Sequence, residues 1–310
     1  MGSITNFPYG LSSFGVPLFG GGPGIGQDPS VAGVYFVEGN SGNDGNSGTS
    51  WDEAFKTVAK GLAACHSFQS TSANKAWARR SKLFIIGDYF EEDLTALAEK
   101  TDVIGCGQCD GFFGARIKGN HVIGATKYSG CRFFNIAFHD NDATGTIMTI
   151  PTAQSGIVFD SCVFLSGTAT VTALLMTAST DFQVRNCKFH GSWVSSFSTA
   201  AISIATGSSN RCIIEGNTIE NQHATGVGIL VNAGRTGAGS FIRGNHLYTT
   251  AMAIDENSNT FACIDNRIIV GTAKAADTSV DISAVLSVNN LVTGSDGTIS
   301  VPPCNYGAQS

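Results

Sequence analysis

The chain has 310 residues, of which 14% are charged, with 38 glycines, a formal net charge of −6 and no run of Lys or Arg. So little charge with so much glycine suits packed strands and tight turns, and excludes a disordered chain or a helical bundle. The charge leaves no electrostatic footprint for nucleic acid, and no apolar run approaches the about 20 residues of a membrane span, so neither nucleic-acid binding nor membrane insertion is expected. The opening "MGSITNFPYG" lacks the basic and apolar regions of a signal peptide; a protein made in a cytosol is expected.

Residues 1–32 form an arm by composition. "MGSITNFPYGLSSFGVPLFGGGPGIGQ" has no charged side chain, yet places Phe7, Tyr9, Phe14 and Phe19 among glycines and prolines. Such a segment cannot bury its own aromatics, and it is too apolar for a solvated linker. It reads either as a tail without fixed structure or as an extended assembly arm that orders against another subunit through those four rings. The glycines of "GGGPGIG" are no dinucleotide fingerprint, because no strand precedes them and no helix follows.

The segment "GTSWDEAFKTVAKGLAAC" opens with a Ser50–Glu53 capping box and sets Phe55, Val58, Leu62 and Cys65 on one helical face. It predicts an amphipathic cap helix over 50–65 that plugs the open end of the strand-rich region after it. "KLFIIGDYFEEDLTALAEKTDVIGCG" (82–107) then supplies the first strands.

From there the sequence repeats itself. An apolar residue, two small or polar residues, Cys or Asn, a spacer and a large apolar residue recur with markers at Cys106, Cys131, Cys162, Cys187, Asn217, Asn245, Asn266 and Asn290. The intervals are 25, 31, 25, 30, 28, 21 and 24 residues, which means a solenoid, propeller or array. The segments are short, β-branched and aromatic, and Gly/Ser/Thr/Asn turns separate them without a helical pattern. A propeller blade needs about 40 residues, whereas a coil of three short strands fits the spacing. The fold class is therefore all-β: a single-stranded right-handed parallel β-helix over 33–300, with an N-terminal capping α-helix, an N-terminal arm and a tail at 301–310. Markers are expected to stack as an inward structural ladder, Cys passing to Asn. Phe133, Phe164, Phe189, Ile219, Leu247 and Ile268 are expected beside it as an apolar stack. The other reading of the cysteines is redox or metal chemistry, for which Cys106 and Cys109 supply a lone C-x-x-C.

The segment 34–107 resembles the opening of right-handed parallel β-helix proteins of the pectate-lyase-like superfamily. The matching positions are Phe36, Gly42, Asp44, Gly48, Thr49, Phe55, Thr57, Gly87, Tyr89 and Glu91. The resemblance covers about residues 33–295 and implies the fold; its members are often polysaccharide lyases or glycosidases, so that chemistry has to be sought in the residues. The aromatic, glycine-rich arm ahead of a β-helix resembles structural proteins of tailed bacteriophages, which implies docking to a virion.

A glycosidase of this build needs two carboxylates about 5–9.5 Å apart, and a lyase needs a base with a cation or Arg. His139, Asp140 and Asp142 in "FHDND" read as a polar turn or, alternatively, a base or Ca²⁺ site. Asp255 and Glu256 are neighbours that point apart, while Glu215 and Glu220 share no predictable face. Arg185, Arg211, Arg243 and Arg267, with Glu215 and Asp265, read as an outer charge ladder. No catalytic or metal residues and no cofactor are assigned. Apolar stretches on strands that should be solvated point to a homotrimer, with Met148, Leu174, Met176, Trp193 and Phe197 either at its contact or in their own core. The expected function is a non-enzymatic virion protein on the capsid surface, a trimeric head decoration or spike docked to the major capsid or another virion protein through residues 1–27. The alternative is a tailspike that binds or depolymerises host surface glycans.

Overall fold

A computed structural model describes residues 12–13, 16–17 and 31–300, apart from 71–78, 88, 108–113, 141–144, 152–153, 168–169, 192–196, 206, 209, 237, 259, 272–279, 282–285 and 295–298. Over 31–300 it is a right-handed parallel β-helix whose three faces are sheets of 10, 10 and 7 strands, parallel throughout except that Ile299–Ser300 pairs antiparallel at the end of one of them. Each coil visits them in order. One coil, for example, runs Gln183–Arg185, Lys188–His190 and Ala200–Ile204, and the next Ile213–Glu215, Thr218–Asn221 and Val227–Val231. The faces are called here the first, second and third sheets. In the arm, Ser12–Ser13 pairs antiparallel with Val16–Pro17, while Phe7, Tyr9, Phe14 and Phe19 lie outside the described residues.

The corner between the first and second sheets explains the sequence repeat. Asn135, Ser161, Asn186, Gly216, Gly244, Asp265 and Asn289 all have φ between 54° and 65°. Left-handed backbone favours glycine or short polar side chains, and each coil places one there. The residue after it turns inward. In register these inward residues are Ile136, Cys162, Cys187, Asn217, Asn245, Asn266 and Asn290, all buried. The asparagines form a continuous ladder: Asn217 Nδ2 donates to Asn245 Oδ1 (2.9 Å), Asn245 Nδ2 to Asn266 Oδ1 (3.0 Å) and Asn266 Nδ2 to Asn290 Oδ1 (2.8 Å). Each Oδ1 also accepts the backbone N–H of the rung before it, and Asn217 Oδ1 takes that of Cys187 at 2.9 Å.

Two markers leave the column. Cys131 sits at the corner between the third and first sheets, in register with Ile157, Phe182 and Cys212. There Gly130, Gly156, Asp181, Arg211 and Gly239 form a second column of positive φ. Cys106 is half-buried at the start of a corner insertion, and Ala115, whose carbonyl accepts Ala137 N–H at 2.9 Å, fills its rung. Phe133 moves with Cys131. It stacks on Phe159 (centroids 5.1 Å, 8° between planes), while Phe138, Phe164 and Phe189 form the second-sheet stack (5.3 and 4.7 Å). The two columns meet edge to face, as at Phe138–Phe159 (5.8 Å, 81°), a favoured aromatic geometry.

The helix spans Val58–Ser70 rather than 50–65. Asp44 explains the shift, since its Oδ1 accepts the N–H groups of Lys56 and Thr57 (both 2.9 Å) and so holds 50–57 as a turn. Thr57 is the N-cap, accepting Lys60 N–H at 3.2 Å. The matched glycines are steric necessities: a Cβ on Gly42 would lie 2.3 Å from the carbonyl oxygens of Glu38 and Phe55, and Gly48 (φ 70°) abuts the Phe55 ring. Val58, Leu62 and Cys65 bury onto the first coil, so the helix does cap the rod.

Glu92, from that coil, accepts the free N–H groups of Val58 (2.7 Å) and Ala59 (2.9 Å). Burial pushes its carboxyl up, and these two bonds pull it back. Glu92→Ala removes both acceptors and the charge at the helix N-terminus, and is expected to cost about 2 kcal/mol, read as a lower denaturant midpoint.

His121 heads the inward column of the third sheet, paired with Met148. Its Nδ1 accepts Leu94 N–H at 3.0 Å, its buried Nε2 meets no hydrogen-bond criterion with a partner among the described residues, and its ring stands edge-on to Phe138. Burial lowers its pKa from 6.5 to about 4, partly opposed by Asp93. Between those values the unfolded chain binds more protons than the folded one, so this group's contribution to stability falls as pH drops from 6.5 to about 4. The expected loss is about 3 kcal/mol in total. Unfolding curves of His121→Gln across this range are expected to be flatter by that amount.

Candidate functional site

Strand alternation puts one second-sheet residue in the core and the two beside it outside. The triads "KFH", "TIE", "HLY" and "RII" therefore present two outward columns. One runs Lys188, Thr218, His246, Arg267 and Leu291, the other His190, Glu220, Tyr248, Ile269 and Thr293. Successive rungs lie about 4.8 Å apart. Together they line an open groove of about 480 Å³ from Thr218 to Thr293. A 220 Å³ depression reaching Val163 and Leu165 joins it at Thr218 and Glu220.

His190 Nδ1 lies 2.7 Å from Glu220 Oε2, and Gln222 Nε2 donates to the other Glu220 oxygen at 2.7 Å. The side chains of Lys188, His246 and Arg267 make no hydrogen bond or ion pair with any described residue. Tyr248 and Ile269 are 42% and 48% exposed. A groove of this kind offers positive charge, one orienting carboxylate and a flat apolar strip.

The sequence reading did not assemble it. Glu215 and Glu220 lie on different sheets, and Glu215 pairs with Arg243 at 2.8 Å on the outside of the first. Arg185 pairs with Asp160 (3.0 Å) in the same column, so the outer charge ladder runs through Arg185, Glu215 and Arg243 without Arg211, which pairs with Asp181 (2.6 Å) at the other corner, and without Arg267. Asp265 is a left-handed corner residue. Farther along the first sheet, burial pushes the Asp102 carboxyl up, but hydrogen bonds from Arg132 and Arg80 outweigh it and hold the group below its ordinary value.

His139 Nδ1 is 2.7 Å from the Asp140 carbonyl oxygen, and the buried Asp140 carboxylate accepts the Thr170 hydroxyl, so these two hold a turn together; Asp142 lies outside the described residues. Asp255 and Glu256 point apart, Asp255 outward beside Asp281 and Glu256 into the core near Cys263. Burial raises Asp255, with Asp281 and Glu256 adding repulsion. Cys131 is pushed up to about 12 by burial, and Cys162 is raised well above its ordinary value by burial beside Cys187, so both stay protonated. Cys109 lies outside the described residues. Among the described residues no three His, Cys, Asp or Glu side chains form a metal-holding group, and no helix is long and apolar enough to cross a membrane.

The proposed trimer-contact residues need correction. Met148, Leu174, Met176 and Phe197 are 0–2% exposed inside their own coils; Trp193 lies outside the described residues. Of the two readings of these residues, a trimer contact or the core of their own coil, the structure gives the core, and a shift of one residue along a strand exchanges core for surface. The outward column is Val122, Thr149, Leu175, Ser203, Leu230, Asp255 and Asp281.

No family model matches the chain, and no curated protein matches it. Among solved structures it is similar to a rhamnogalacturonan lyase at 9% identity, over 83% of this chain and 87% of that one, with a TM-score of 0.42. That likeness assigns no residue a role.

Proposed function

We propose that the chain is a structural protein of a tailed-bacteriophage virion, a head decoration or spike that forms homotrimers, docks through residues 1–27 and acts mechanically rather than by catalysis. What supports this reading is the build of the rod. Its buried amides bond along the axis from rung to rung, its first coil is closed by a helix, and an uncharged aromatic arm precedes that end. Lateral association uses the outward column of the third sheet ahead of Asp255, where Val122 is 58% exposed and Leu175 and Leu230 are half-buried. Light scattering is expected to give a trimer, and Leu175→Asp with Leu230→Asp a monomer. A monodisperse wild-type monomer contradicts the assembly. Deleting 1–27 is expected to abolish incorporation into particles while the rod stays folded; full incorporation contradicts the docking. A second reading, a spike that grips host polysaccharide, is favoured by the groove on the second sheet.

A further inference from the structure

We infer that the second-sheet groove binds a strand of acidic polysaccharide lying along the rod axis. The inference deepens the polysaccharide-binding reading and does not depend on how the rod is assembled. The first argument is charge. The whole chain carries −6, yet one outward column holds the cations Lys188 and Arg267, neither of them paired with a described residue. His246 and Arg267 occupy adjacent rungs, so an anion bonded to the Arg267 guanidinium also lies within reach of the imidazole as a hydrogen-bond partner.

The second argument is shape. The groove is shallow, open and continuous across several coils, which suits a linear polymer rather than a small molecule. Rungs about 4.8 Å apart are close to the advance of an extended glycan per sugar, so successive sugars lie over successive rungs and a carboxylate among them reaches Arg267. The third argument is the neighbouring column. Tyr248 and Ile269 give the C–H face of a sugar ring an exposed apolar strip, and Glu220, held by His190 and Gln222, faces hydroxyls at the end of the groove away from Arg267. An anion bonded to Arg267 and stacked beside Tyr248 combines the two contact types that dominate recognition energies.

The test uses the full chain with alginate and hyaluronan as acidic probes, dextran as the neutral control and a single-stranded oligonucleotide as a non-glycan polyanion, read by affinity electrophoresis and calorimetry. Alginate or hyaluronan is expected to bind, with affinity falling as salt rises, while dextran and the oligonucleotide do not. Arg267→Ala and Tyr248→Ala are each expected to weaken binding by about tenfold, with unchanged circular dichroism; Lys60→Ala, an exposed base on the cap helix, leaves it intact. Binding of neither acidic glycan overturns the inference, as does binding unaffected by both groove variants, or equal binding of dextran or oligonucleotide. A Tyr248→Asp variant that dissociates an oligomer assigns the face to a second copy of the chain and also overturns it. A chain that enters particles but binds neither probe refutes the groove inference alone, leaving the virion reading standing.

Discussion

Asn245→Leu is expected to destabilise the protein by about 4 kcal/mol, among the largest effects of any single substitution. Asn245 is fully buried, and its Oδ1 accepts both the N–H (3.0 Å) and the Nδ2 (2.9 Å) of Asn217, while its own Nδ2 donates to the Ile214 carbonyl at 3.0 Å. Leucine fills similar space but strands those three partners in a dry interior, at about 1–3 kcal/mol each before relaxation. Denaturant unfolding, read as a shift in midpoint, checks the figure. The companion variant is Cys187→Asn. Cys187 already donates its N–H to Asn217 Oδ1, so an amide there extends the ladder by one rung, and the expected change is about 1 kcal/mol or less. Equal damage from the two variants would refute the ladder's energetic role.

The second large effect is expected from Phe159→Ala, again about 4 kcal/mol. Phe159 is wholly buried at the junction of the two aromatic columns, stacked on Phe133 and edge-on to Phe138 (5.8 Å) and Phe164 (5.6 Å). Truncation opens a cavity inside a wall of parallel strands whose backbone is fixed by neighbours on both sides, so little collapse can fill it. Ile269→Ala, which removes an apolar side chain from the rod's outer face, is expected to change stability by about 0.5 kcal/mol or less. The midpoints of the two variants, compared at unchanged denaturant slope, separate core from surface.

These cases show how far residues reveal a solenoid. From Cys162 to Asn290 the repeat was readable because a left-handed corner, an inward amide or thiol and a large inward apolar residue recur in fixed order. Before Cys162 it misled. "GCRFFNIAF" contains two overlapping patterns, and Cys131-x-Phe133 imitates the true match, Asn135-Ile136-Ala137-Phe138. A left-handed residue precedes both matches, Gly130 before Cys131 and Asn135 before Ile136, so only the strand register tells the two corners apart.

The helix boundary was misread because Asp44 is a distant partner, invisible in local propensity. The groove was missed because its side chains come from coils 21 to 30 residues apart and meet only once register is known. Met148 and Leu174 stood open between surface and core because both neighbours of each are apolar or small, so alternation carries no signal.

The most direct measurement is a side-chain-resolution crystal structure of the rod. Cys162, Cys187 and Asn217 should follow one another on consecutive turns beneath a single column of left-handed residues, with Cys131 one corner away on the line that leads to Cys212. Density that sets Cys131 directly over Cys162, or that scatters these four side chains among unrelated elements, would contradict the stacking on which the ladder, the aromatic columns and the groove all depend.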